Sequence, residues 1–247
     1  MRPMDPFHLT LLAAGIAVVA FLYSSVGHAG ASGYIAVLTL AGFAATTVKP
    51  VALVLNVVVA VIATVQFARA GHFSWPLFWP FALLSVPAAA LGGYLHLPAD
   101  NLKPLLGAVL LFSAARLFLR KGDPTEPRPP ARGTALATGA GIGLLSGLTG
   151  TGGGIFLTPL MLLRGWSKAK QAAAISAPFI LLNSLAGLGG HLSSGRPVPV
   201  FAWWLAIVAA IAGLAGSHLG SRLIPVRGIQ VLLAAVLIIA GGKLLTM

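Results

Sequence analysis

The densest run of chemistry-bearing positions lies between Gly147 and Pro159, where Gly150, Gly152, Gly153 and Gly154 are interleaved with Thr149, Thr151 and Thr158. Glycine costs about 1 kcal/mol against alanine in a helix interior, so three in a row predict a break. A new helix is expected to start near Ile155. Its first N–H groups have no partner inside the helix and sit at the positive end of its dipole. Glycine lets a ligand approach such donors closely. Gly150, Thr151, Gly152, Gly153 and Gly154 thus describe an anion site, with the Thr151 and Thr158 hydroxyls as further donors. A looser version occurs earlier, in Gly27, His28, Gly30 and Ser32, flanked by Ser24, Ser25, Gly33 and Tyr34. His28 takes the place of Thr151. It titrates near neutral pH, which makes it the candidate for proton coupling.

Each of these features has a plainer reading. Gly139, Gly143 and Gly147 are spaced four apart, as are Gly216 and Gly220. That spacing lets membrane helices pack closely, and packing is the expected role of these five. Asn56 and Asn183 lie in the long apolar segments after the two breaks. They are expected either to face a permeation path or to bond a neighbouring helix. His96, His191 and His218 fall near segment ends, where an interfacial role is expected. Gly150-x-Gly152 brushes against a dinucleotide fingerprint, but no strand precedes it and no acid follows about 20 residues on.

The residues around these breaks are those of a membrane protein. Of 247 residues, 57% are hydrophobic and 8% charged, against about 25% charged in a soluble domain. The mean hydropathy is +0.94. Sixteen basic and four acidic residues are too few to cover a soluble surface. The net charge of +12 does not mark a nucleic-acid partner, because the bases are scattered between apolar runs. Cysteine is absent, which excludes a disulfide scaffold. Apolar segments fall at 9–27, 30–45, 50–68, 76–96, 104–119, 135–150, 153–163, 171–193, 199–220 and 228–246. Those at 30–45 and 153–163 are short for a span of about 20 residues. They read as spans or as arms of re-entrant hairpins. A cleaved signal peptide over residues 1–31 is the competing reading of the first segment.

Residues 121–133 form a linker rich in Pro and Arg, with Asp123, Glu126, Arg128, Arg132 and four prolines. Placing it in the cytoplasm leaves only Arg2, Lys49, Lys103, Arg196 and Lys243 of the sixteen bases outside. That agrees with the positive-inside rule, with both termini extracytoplasmic. The chain also repeats. Gly27 matches Gly150 at an offset of 123, Gly71 matches Gly195 and Gly92 matches Gly216 at 124, and Arg116 matches Lys243 at 127. Lys49 and Lys170 match at 121 and are read as entrance charges or as interfacial anchors. Five segments per half is an odd number, so the second half enters the membrane inverted. The expected fold is an all-α polytopic membrane protein of two inverted-topology repeats, 1–120 and 134–247, with short broken helices at the glycine motifs.

The stretch Gly143-Leu144-Leu145-Ser146-Gly147-Leu148-Thr149-Gly150-Thr151-Gly152-Gly153-Gly154, with Pro159 following, resembles the sulfite exporter TauE/SafE family of membrane transporters. Gly27 to Gly33 is a degenerate counterpart in which Ala29 and Ala31 replace glycines. The resemblance implies passage of small sulfur-containing anions such as sulfite, thiosulfate or organosulfonates, often as export coupled to a proton gradient, across a bacterial plasma or inner membrane. The expected partners are the anion, protons and the lipid bilayer, with no nucleic acid, cofactor or metal. A passive anion channel would use the same site. An intramembrane enzyme would need paired carboxylates or a nucleophile with a base, and no acid falls in a span.

Overall fold

The computed structural model describes residues 6–95, 103–119 and 123–246. Arg2, Asp5, His96, Asp100, Arg120 and Lys121 lie outside the described residues, as does the side chain of Arg116.

The described residues form ten α-helices. Five precede the linker: α1 (Pro6–Ser25), α2 (Ala31–Leu40), α3 (Ala45–Arg69), α4 (Trp75–Tyr94) and α5 (Lys103–Leu119). Five follow it: α6 (Arg132–Thr149), α7 (Gly154–Leu163), α8 (Ala169–Ser193), α9 (Ala202–His218) and α10 (Val226–Thr246). A π-helical turn, Leu219–Leu223, extends α9. Six helices are long and apolar enough to cross a bilayer, while α2 and α7 are shorter apolar helices of 10 residues each. Large apolar side chains such as Leu83, Ile207 and Ile238 point outward. Trp75, Tyr94 and Trp203 are exposed at helix ends, where amphipathic rings suit the lipid–water boundary.

Corresponding helices on the two sides of the linker match in length. Both α2 and α7 have 10 residues, and α3 and α8 have 25. Left-handed glycines recur in pairs: Gly27 with Gly150, Gly30 with Gly153, Gly42 with Gly165 and Gly71 with Gly195. Gly152, at φ +76°, has no such mate, because Ala29 stands at the corresponding place. Packing follows the same correspondence. Helix α4 lies on α6 as α9 lies on α1, α4 meets α8 as α9 meets α3, and α3 packs on α8 and α5 on α10.

The closest approaches use the glycines that the spacing singled out. A Cβ at Gly139, Gly143 or Gly147 would run into the backbone oxygens of Phe81, Ser85 or Ala89 on α4. Gly216 and Gly220 meet the backbone oxygens of Phe21 and Ser25 on α1. Between α5 and α10, Cβ atoms at Gly107 and Gly241 would each lie 2.9 Å from the other residue's carbonyl oxygen. Without glycine these helix axes would have to separate.

The linker is docked. The Asp123 carboxylate accepts from the Ala169 N–H at 2.9 Å, at the start of α8, and from Gln230 Nε2 of α10 at 3.4 Å. The N–H of Arg128 donates to the Gly165 carbonyl at 3.0 Å.

Candidate functional site

Two chain breaks lead into the two short helices. At the second, α6 ends at Gly150, whose φ is +76° and whose N–H donates to the Ser146 carbonyl at 2.8 Å. Gly152 and Gly153 are also left-handed, and Gly153 caps α7 with no side-chain hydrogen bond. Left-handed backbone strains any residue with a Cβ, which is why glycine stands at these positions. Among the described residues, no partner is seen for the N–H groups of Gly152, Gly153, Gly154 and Ile155. At the first break, Gly30 caps α2 at φ +104°, and the N–H groups of Ala29, Gly30, Ala31 and Ser32 are likewise unpaired. Gly152, Gly153, Gly154 and the first break from Val26 to Gly33 are buried. Buried N–H groups are normally paired, so an open set at the positive end of a helix suits an anion.

His28 joins the breaks. Its Nε2 lies 2.9 Å from the Gly154 carbonyl oxygen and its Nδ1 lies 3.1 Å from that of Val26. Both ring nitrogens therefore face acceptors, and the ring is buried. It can exchange a proton only when one of these contacts opens.

The second break is lined by α3, α6 and α8. A Cβ at Gly152 would lie 2.8 Å from Asn56 Nδ2, 3.0 Å from Ser184 Oγ and 2.7 Å from Ile180 Cγ2. One at Gly153 would lie 3.3 Å from Ser146 Cβ and 3.0 Å from the Phe179 ring. Asn56 Nδ2 donates to Ser184 Oγ at 3.3 Å. Ser85 Oγ donates to Asn183 Oδ1 at 2.7 Å. Asn56 and Ile180 are each the twelfth residue of a 25-residue helix, so the break meets α3 and α8 near their midpoints.

The expected site residues fall into three groups. Gly150, Gly152, Gly153, Gly154 and Asn56 come together, and His28 reaches them through Gly154. Asn183 is on α8 one turn beyond Phe179, and its Oδ1 accepts from Ser85 of α4. Gly27 and Gly30 build the first break but touch Ala173 and the Tyr34 ring respectively. The hydroxyl donors are engaged elsewhere. Thr149 Oγ1 donates to Leu145 O, which leaves Thr151 Oγ1 as the donor in their 2.9 Å contact. Thr158 Oγ1 pairs with Ser176 Oγ at 2.6 Å, and Ser32 Oγ with the Tyr23 hydroxyl at 2.9 Å.

The lysine correspondence at an offset of 121 is corrected. Helices α3 and α8 run in register at 124, so Lys49 corresponds to Ala173. Gly27 meets Ala173 just as Gly150 meets Lys49. Lys49 and Lys170 lie inside the helices, donating to the Leu148 and Ser221 carbonyls at 3.2 and 3.4 Å. His191, expected at an interface, is buried at the end of α8. Ser146 and Ser184 were missed as site residues. Serine is common inside membrane helices, and only the fold shows that these two reach the glycines.

A helical bundle with outward apolar faces and interrupted helices at its centre defines a multi-pass membrane protein by architecture. The match of the sulfite exporter TauE/SafE family model over residues 11–244 makes the assignment specific: the chain belongs to that family. It is 46% identical over 240 residues to "Probable membrane transporter protein y4hK" of Sinorhizobium fredii, covering 95% of this chain and 97% of that one. It is 30% identical to "Probable membrane transporter protein YjnA" of Bacillus subtilis, covering 78% and 82%. A 29% identical stretch of 153 residues, 61% of this chain and 29% of the relative, matches "Sulfite exporter TauE/SafE family protein 3" of Arabidopsis thaliana. No solved structure matches.

Proposed function

We propose that this protein is a secondary transporter, working as an exporter, of a small sulfur-containing anion such as sulfite, thiosulfate or an organosulfonate. The anion binds at the paired breaks, chiefly the second. The observation that carries this reading is the open set of backbone donors at Gly152 to Ile155, buried at mid-helix in a member of a transporter family. The halves 1–120 and 134–247 act as inverted repeats about an axis in the membrane plane, with the linker 121–133 cytoplasmic. Exchange of matched helix pairs and the five-plus-five helix count support this arrangement. His28 is the proposed proton-coupling residue, since its ring bridges the two breaks. The competing arrangement is an anion that carries its own proton, as sulfite does near neutrality.

Ile180 argues for a transporter over an open channel. Its side chain lies against Gly152 and Gly154 at the second break, which favours a site that must rearrange to admit an anion. Purified protein in liposomes should accumulate sulfite or thiosulfate against protein-free controls. Absence of flux for sulfite, sulfate, thiosulfate and an alkanesulfonate would overturn the reading.

A further inference from the structure

The following inference rests on the second break being an anion site, and adds which side chains hold the anion and what charge it carries. Three buried side chains on the helices that line the second break leave a polar atom without a partner: Ser146 Oγ and Asn56 Oδ1, on residues beside Gly153 and Gly152, and Asn183 Nδ2, one helical turn along α8 from Phe179 and Ile180. They come from α6, α8 and α3, and each residue is at most 1% exposed. Whichever end of the Asn56 amide meets Ser184, the other end is left over, and the same holds for Asn183 against Ser85. An unmade buried hydrogen bond is costly, and three on the helices facing one helix start point to a ligand that completes them.

All three groups are uncharged. The cation at the break, Lys49, lies against Gly150 and donates to the Leu148 carbonyl. His28 has both ring nitrogens on carbonyl oxygens. The desolvation cost of an ion grows with the square of its charge, so a dianion costs about four times as much as a monoanion to bring in. Attraction to fixed dipoles grows only in proportion to charge. Neutral donors with one lysine charge beside them, deep in a bilayer, therefore suit one negative charge rather than two.

We propose that Ser146 Oγ, Asn183 Nδ2 and the α7 N-terminus, with Asn56 turned so that its Oδ1 accepts from Ser184 and its Nδ2 is the free donor, bind the oxygens of a singly charged oxyanion and reject dianions. Sulfite would then pass as hydrogen sulfite and sulfonates without a change of protonation, while thiosulfate, a dianion at neutral pH, drops out of the proposed substrates.

Methanesulfonate and sulfate separate charge from shape, since both present tetrahedral sulfur and neither titrates near neutral pH. Binding to the purified full-length protein is read by thermal stabilisation and by calorimetry at matched ionic strength. Methanesulfonate should bind at least about tenfold more tightly than sulfate. Ser146→Ala and Asn183→Ala should each weaken methanesulfonate by about tenfold, the scale of a hydrogen bond to a charged group. Asn183→Asp can still accept from Ser85 but adds a negative charge, and should abolish binding. Equal or tighter binding of sulfate to the wild type overturns the proposal without any variant. So does wild-type affinity in folded Ser146→Ala and Asn183→Ala proteins. If no anion binds and none crosses liposomes, the anion-transport reading falls as well. Sulfate flux with sulfate binding removes only the charge selection.

Discussion

Gly153 carries two constraints that a single residue type satisfies. Its φ of +80° disfavours any side chain, and a Cβ would press on Ile142, Phe179 and Ser146. Gly153→Leu is expected to abolish anion flux while the protein still inserts in the membrane, because the side chain covers the backbone donors. Flux assays paired with a membrane-insertion check test this, and normal flux would reduce the glycines to packing elements. His28→Gln keeps one hydrogen bond to the Gly154 carbonyl within reach but cannot titrate. If His28 couples protons, flux through the variant should no longer respond to an imposed pH gradient. Gradient-driven accumulation at the wild-type level would make the residue structural. That the chain breaks at the glycines and at His28 was legible in sequence, because a break in an apolar run stands out. Ser85, Ser146 and Ser184 were not, since their role depends on which helix faces which.

Among elements, α8 shows how a loop residue governs a membrane helix. Asp123 accepts from the first N–H of α8 and from the buried Gln230 of α10. An acid at a helix start pairs an orphan donor and meets the positive dipole end. Asp123→Ala is therefore expected to cost about 0.5–2 kcal/mol, read as a lower melting temperature in detergent. An unchanged melting temperature would show that the linker is only a tether. The charge pattern had marked this stretch as a connection but gave no sign that it docks. The proline count favours extended backbone, and extended backbone can still cap. Helix extents were well read from hydropathy. The expected segments at 30–45 and 153–163 became α2 and α7, each starting one residue later, after left-handed Gly30 and Gly153, with α2 ending at Leu40 ahead of left-handed Gly42.

For the molecule as a whole, orientation is the open test. The proposed topology puts the exposed Thr125 in the cytoplasm. This chain has no cysteine, so Thr125→Cys adds a unique thiol. It should resist an impermeant maleimide in intact cells and react after permeabilisation. Rapid labelling of intact cells would reverse the topology and the positive-inside assignment with it. The helix-for-helix correspondence of the halves was legible because glycines at left-handed positions recur at offsets of 123 and 124. The departure from the repeat was only partly legible. Ala29 against Gly152 is visible in the sequence, but the approach of Asn56 and Ser184 to Gly152 is not.

That the second break meets α3 and α8 at their midpoints has an electrical consequence. A ligand held there has crossed about half of the membrane's voltage drop. One elementary charge across the full drop is worth about 2.3 kcal/mol per 100 mV, so half of it is about 1.2 kcal/mol. For a monoanion this is roughly a sevenfold change in apparent affinity per 100 mV, opposite in sign for access from the two sides. Potassium-gradient potentials imposed on liposomes would measure it. A voltage-independent affinity would place the ligand at the surface, away from Asn56 and Gly152.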